Sequence, residues 1–240
     1  MRSASLIAML ALVACSPAKD RDSGVAATSG GTARIYQVAD FTGVALRASD
    51  DVDVRVGSGF SVRAEGPAAE LDTLRIVRDG DVLRIGRKDS FAFQWGRTAH
   101  VKIFVTMPRI TTAELSGTGD LAIDRVEGER FRVDSKGSGD IAIGALSVES
   151  ADLSLSGTGT LTAKGRAHQL KIDLSGSGDV DAPELKAARA SVSVAGTGDV
   201  HATVDGPAQV SVTGTGDVDL GAAAHCTTTN AGTGEVRCGK

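Results

Sequence analysis

Asp120, Asp140, Asp179, Asp199 and Asp217 each close a tetrapeptide of the form Gly-Ser/Thr-Gly-Asp, and Thr160 and Glu235 hold the same place in two further copies. A carboxylate repeated at one position can do either of two things. It can supply oxygen ligands to a hard cation, and a Ca²⁺ ladder is then the expected cofactor. Or it can accept hydrogen bonds from turn N–H groups, as Asx turns do, with no ion involved. The nonapeptide Ca²⁺ β-roll has the pattern G-G-x-G-x-D. Here Asp follows the glycine directly and one such turn occurs per repeat, so the match to that pattern is partial and both readings stand.

The remaining reactive side chains point to little chemistry. Cys226 and Cys238 flank the last tetrapeptide. In an oxidising compartment they are expected either to form a disulfide or to remain two buried thiols, because spacing alone cannot show whether their Cα atoms lie within bonding range. His100, His168, His201 and His225 are scattered, and no C-x-x-C pair or zinc spacing occurs. His168 and His201 read as surface residues. Ser116, Ser156 and Ser175 read as hydrogen-bonding partners along a ladder, and no G-x-S-x-G elbow supports a hydrolase nucleophile. No catalytic residue is expected. Phe91-Ala92-Phe93-Gln94-Trp95 is a local aromatic cluster that either covers an open end of the core or forms an adhesive patch.

The elements that position these residues follow from the repeat. Tetrapeptides begin at Gly117, Gly137, Gly157, Gly176, Gly196, Gly214 and Gly232, and nearly constant spacing of this kind marks a solenoid or array. Leu121, Ile141, Leu161, Val180, Val200, Val218 and Val236 each follow the first glycine by four residues. Aliphatic residues also recur two and four positions before most of these glycines, separated by small, polar or charged ones. Such period-two alternation predicts strands with one buried face. A single pair of strands cannot bury that face, so like must stack on like. The expected fold is all-β: a right-handed parallel β-helix, a single-stranded solenoid of about 18–20 residues per rung. Thr228 and Asn230 make the last rung polar, as a terminal cap requires. Residues 111–240 carry these repeats. Residues 34–110 are expected to form a less regular N-terminal β portion, with strands around Val44, Val52, Leu74, Val82 and Val101 and a turn at Asp79-Gly80-Asp81.

The chain opens with Arg2, an apolar run from Leu6 to Ala14, and then Cys15. Nine apolar residues are too few for a membrane-spanning helix, which needs about 20, and fit a secretory signal. Leu12-Val13-Ala14-Cys15 resembles the lipobox of bacterial lipoproteins. Residues 1–14 are thus expected to be a signal peptide, and Cys15 the lipidated first residue of a flexible tether over 15–33; an ordinary signal peptide with an incidental cysteine is the alternative. A lipid anchor at Cys15 makes the membrane a partner, and Ser16 rather than Asp after it resembles outer-membrane sorting in enteric bacteria, so an outer-membrane location, periplasmic or surface-facing, is expected. With a net charge of −4 and interspersed acids and bases, nucleic acid is not an expected partner.

Phe41-Thr42-Gly43-Val44, Asp51-Val52-Asp53-Val54, Asp79 to Ile85 and Met107-Pro108, leading into Leu115-Ser116-Gly117-Thr118-Gly119-Asp120, resemble the head-GIN-domain family over roughly residues 35–220. That family is named for auto-transporter adhesin heads, and many of its members carry lipoprotein signals. The resemblance implies no catalytic residues. The expected function is a non-enzymatic envelope module that binds an envelope protein or a glycan. A polysaccharide lyase or hydrolase, and a Ca²⁺-stabilised structural solenoid, are the competing readings. The chain is only 3% aromatic, which leaves few sugar-stacking platforms for an enzyme.

Overall fold

The computed structural model describes residues 24–28, 30–88 and 100–239. Cys15 and the cluster Phe91 to Trp95 lie outside them. The described strands join into a single hydrogen-bonded sheet wound on itself, a β-solenoid.

Each regular coil has a strand before the glycine corner, a strand after it, and a bend that leads into the next coil. The strands before the corner stack parallel and in register: Val133 on Ala113, Leu153 on Val133, Ile172 on Leu153, Val192 on Ile172, Val210 on Val192. The strands after the corner stack the same way, so that Leu121, Ile141, Leu161, Val180, Val200 and Val218 form one inward column, every member buried. Fully burying such a side chain stabilises by roughly 1.5–3 kcal/mol, so the shared spine is the main favourable term. The variation in repeat length is absorbed at the bend, where register slips between Ile143 and Leu146, between Thr162 and Gly165, and between Ala182 and Lys186.

The corner glycines are fixed by close approach. None has positive φ. A Cβ built on Gly137 would fall under 3.0 Å from the carbonyl of Gly117, and one on Gly139 equally close to the carbonyl of Gly119. The same holds at every later corner, so the Cβ direction there runs along the solenoid axis into the backbone of the previous coil. The hydroxyl residue between the two glycines points outward, and its N–H continues the sheet: Ser138 donates to Gly117 at 3.0 Å and Thr215 to Gly196 at 3.0 Å.

The solenoid begins earlier than the first tetrapeptide. Gly43–Leu46 pairs parallel with Thr112–Leu115, and Asp51–Val56 pairs parallel with Leu121–Ile123. Ala48-Ser49-Asp50-Asp51 therefore sits beneath Gly117-Thr118-Gly119-Asp120. No repeat corner lies below this one, so Ala48 and Asp50, at the glycine positions, have room for side chains, which are buried on the side of the N-terminal cap. Val82–Arg87 and Lys102–Met107 add a further parallel level. Antiparallel strands then close the end. Leu74–Asp79 folds back on Val82–Arg87 through Gly80, and Ser61–Glu65 lies between Lys102–Met107 and Ala33–Tyr36. Ala27–Thr28, within the span expected to be tether, pairs with the Ala33–Tyr36 strand.

Asp50 is fully buried in this cap. Its carboxylate is held by the Arg87 guanidinium and accepts the Val101 N–H at 3.1 Å. Arg87 also bonds Glu70 at 2.7 Å and the Thr73 hydroxyl at 2.6 Å. Although burial opposes the charge on Arg87, the hydrogen bonds and charges of Asp50 and Glu70 outweigh it and raise the guanidinium pKa. At the opposite end Thr228 and Asn230 are exposed, and Cys226 and Cys238 are joined by a disulfide with Cα atoms 6.2 Å apart.

Gly137→Ala should cost about 3 kcal/mol or more in urea unfolding, because the new methyl meets backbone that cannot give way. Gly86→Ala, where the nearest atom is the Arg47 Cβ at 3.9 Å, should stay within about 0.5 kcal/mol of the parent. Arg87→Met, which removes the cation that buried Asp50 and Glu70 share, should cost about 3–5 kcal/mol in the same measurement.

Candidate functional site

The aspartate column is a set of hydrogen-bonded rungs. In each, the Oδ1 of one aspartate accepts the backbone N–H of the residue at the same position in the next coil. Asp120 accepts from Asp140 at 2.9 Å, Asp140 from Thr160 at 2.7 Å, Asp179 from Asp199 at 2.8 Å, Asp199 from Asp217 at 2.7 Å, and Asp217 from Glu235 at 2.7 Å. The backbone carbonyl at each position accepts the aliphatic N–H of the coil before it, as when Val180 donates to Asp199 at 2.9 Å. The carboxylate thus supplies the acceptor that the corner turns away from its neighbour. These bonds run between coils, unlike the expected Asx turn, which satisfies N–H groups of its own loop.

The column has one more member than the tetrapeptides indicate. Asp51 accepts the N–H of Asp120 at 3.2 Å. Its signal in the sequence is slight: an aspartate before alternating valines, without the glycines. The run is interrupted at Thr160, whose hydroxyl makes no bond to Asp179. Among the described residues, no three His, Cys, Asp or Glu side chains are placed to hold a metal ion.

The other singled-out residues are spread over the surface. His168 and His201 are exposed on different strands, and Arg189 lies 3.3 Å from the His168 Nε2. Ser116 and Ser175 are exposed, while the Ser156 hydroxyl bonds the Ser135 carbonyl at 3.4 Å and that of Thr213 bonds Val194 at 3.3 Å, both along the stack. Beside the aspartate column, Thr118, Ser138, Thr158, Ser177, Thr197, Thr215 and Thr233 form an exposed column of hydroxyls. The surface therefore presents long rows of like groups about 4.8 Å apart.

A β-solenoid with polar ladders along its corner defines a structural class with solved relatives. A "putative adhesin" from Bacteroides fragilis aligns with a TM-score of 0.79 and 19% identity, covering 86% of this chain and 95% of the other. A "putative adhesin" from Parabacteroides distasonis aligns at 0.69 with 17% identity, covering 86% and 96%. A "putative lipid binding protein" from the same species aligns at 0.63 with 16% identity, covering 87% and 96%. At these identities the likeness is one of fold. No curated protein matches. Residues 40–224 match the family described as "Putative auto-transporter adhesin, head GIN domain", and the chain belongs to that family.

If the aspartates serve the stack, removing one costs stability whether or not Ca²⁺ is present. Asp199→Ala leaves the Asp217 N–H without its acceptor and should cost about 1.5–3 kcal/mol; Asp199→Asn, which keeps an acceptor oxygen, should cost less than about 1 kcal/mol. Thermal melts with added Ca²⁺ and with chelator should superimpose for the parent and both variants.

Proposed function

We propose that the protein is a non-enzymatic, adhesin-like head held at the cell envelope by acyl chains on Cys15. The observation that carries this reading is the outer surface of the solenoid. Side chains of one kind are repeated coil after coil on a rigid scaffold, an arrangement suited to meeting an extended or repetitive partner along its length. The residues best placed for chemistry are spread over that surface or, like the aspartates, engaged in holding coils together.

Family membership supports an adhesive role. The lipid anchor rests on Leu12-Val13-Ala14-Cys15. No helix among the described residues is long and apolar enough to cross a membrane. Each buried CH₂ of an acyl chain contributes about 0.8 kcal/mol, so two or more chains hold a protein of this size stably. The described N-terminal strands lie at the capped pole of the solenoid, and an anchor ahead of them in the chain is compatible with long faces and a far pole that stay free for a partner.

Cells expressing the full chain should adhere to surfaces coated with envelope or matrix polymers. Cys15→Ser should move the protein from the membrane fraction to the soluble one and abolish adhesion, without release of reducing sugar from those polymers in either case. Membrane retention of the Cys15→Ser protein would sink the anchor, and sugar release by the parent would sink the non-enzymatic role.

A further inference from the structure

One face of the solenoid has a charge character different from the corner. On the strands before the glycines, Arg130, Ser150, Gln169 and Arg189 succeed one another in register as one outward column. Beside it run Arg132, Asp152, Lys171, Ser191 and Gln209. Two shallow grooves of about 800 and 500 Å³ lie along these columns and meet at Ser150 and Asp152, making one trough parallel to the axis. The trough runs from the first regular coil to the last.

Arg109, Arg130, Arg132, Lys171 and Arg189 line the trough together with Glu127, Glu129 and Asp152, so cations outnumber acids without being free of them. Arg130 and Arg189 face Ser150 and Gln169 in the neighbouring coils, not carboxylates. The nearest acid to Arg132 is Asp152, at 3.9 Å. Arg189 bonds only the ring nitrogen of His168. Asp152 stands in register between Arg132 and Lys171, and Lys171 has a second close acid, Asp173, on its own strand. Arg130, Arg132, Lys171 and Arg189 are all exposed. They recur at intervals of one or two coils, about 5–10 Å along the axis. On the other side of the glycine corner stand the aspartates, which would repel a polyanion and confine it to the trough.

We infer that this trough binds an extended acidic polysaccharide, with its carboxylate or sulfate groups on Arg130, Arg132, Lys171 and Arg189 and its hydroxyls on Ser150 and Gln169. The assignment rests on the adhesive reading above and names its ligand. A flexible, singly stranded chain fits better than duplex nucleic acid, because the charges form one narrow line on a shallow surface. Arginine suits the role because its planar fork pairs with both oxygens of a carboxylate or sulfate.

The test uses the full chain in mild detergent against immobilised polygalacturonate, dextran sulfate, uncharged dextran and duplex DNA. The parent should bind one or both acidic polysaccharides, more weakly as salt rises, and leave dextran unbound. Preference between the two identifies carboxylate or sulfate as the group read. Arg132→Glu, Lys171→Glu and Arg189→Glu should each weaken binding about tenfold or more, the worth of a charged hydrogen bond. Arg55→Glu, across the glycine corner, should bind like the parent, and all variants should keep the parent's melting temperature. No binding to either acidic polysaccharide, tighter binding to DNA, or unchanged affinity in the trough variants would overturn the assignment. Cell adhesion separates the two readings. If parent and trough variants adhere equally, the trough is wrong and the adhesive role stands. If parent cells fail to adhere while the purified chain binds polyanion through the trough, the adhesive role is wrong and the site stands.

Discussion

At each glycine corner the backbone of one coil passes so close to the next that a Cβ has nowhere to go. The carbonyl of the preceding coil already occupies its place, at both glycines of every tetrapeptide from Gly117 to Gly234. Everything else in the stack is set by this contact. It locks each coil directly over its neighbour, so the aliphatic residue four positions after the first glycine must fall on its counterpart below. It keeps the corner N–H groups within reach of carbonyls one coil away. It also turns one N–H per coil toward the aspartate side chain of the previous coil, and a charged acceptor is well suited to satisfy it. A parallel sheet bent this sharply would otherwise leave that exposed donor to water instead of tying it to the coil below.

The same contact explains which parts of the fold were legible in the sequence. Where a coil lies underneath, glycine is compulsory, so the coils from Gly117 onward announce themselves. Where none does, the requirement lapses. Ala48 and Asp50 occupy the glycine positions of the first corner, and Asp50 uses its freedom to reach Arg87 in the cap. In the sequence the first coil therefore shows only alternating strands, and no glycines mark Asp51 as a member of the column. The antiparallel closure was harder to see. Its hairpin at Gly80 has a local signal, but the placing of Ser61–Glu65 between two strands distant in sequence is decided by which apolar faces remain to be covered. Ser135 stands in an inward column that is otherwise leucine and valine up to its polar last member, Asn230. Ser135 is buried, with a hydroxyl that finds no partner, and nothing in the structure explains why a serine stands there.

The aspartates show how a correct residue list can carry an incomplete mechanism. The column itself follows from the repeat, as does the need to offset the repulsion of carboxylates on adjacent strands. Whether they hold an ion, their own turn, or the next coil depends on the direction in which the corner presents its N–H, and that direction is a property of the stack. With Oδ1 of five aspartates engaged by the next coil, the column has a structural reason to exist in the absence of any ligand. Thr160 fits this account: one coil can forgo the bond because the coils above and below hold it in register through their main-chain ladders.

Function in such a scaffold has to be read from positions the stack leaves free. Inward residues and corner glycines answer to packing, and the aspartates answer to the corner. Outward residues on the flat strands answer to neither, so a departure from indifferent polarity there is informative. Arg130 and Arg189 stand along one trough with no carboxylate directly opposite them, and Arg132 meets Asp152 at 3.9 Å. Exposed ion pairs would have added little to stability in any case, so the folded state has no stake in this arrangement. The stack accounts for neither the excess of cations there nor the shared trough that joins them, and an anionic chain lying along the axis accounts for both.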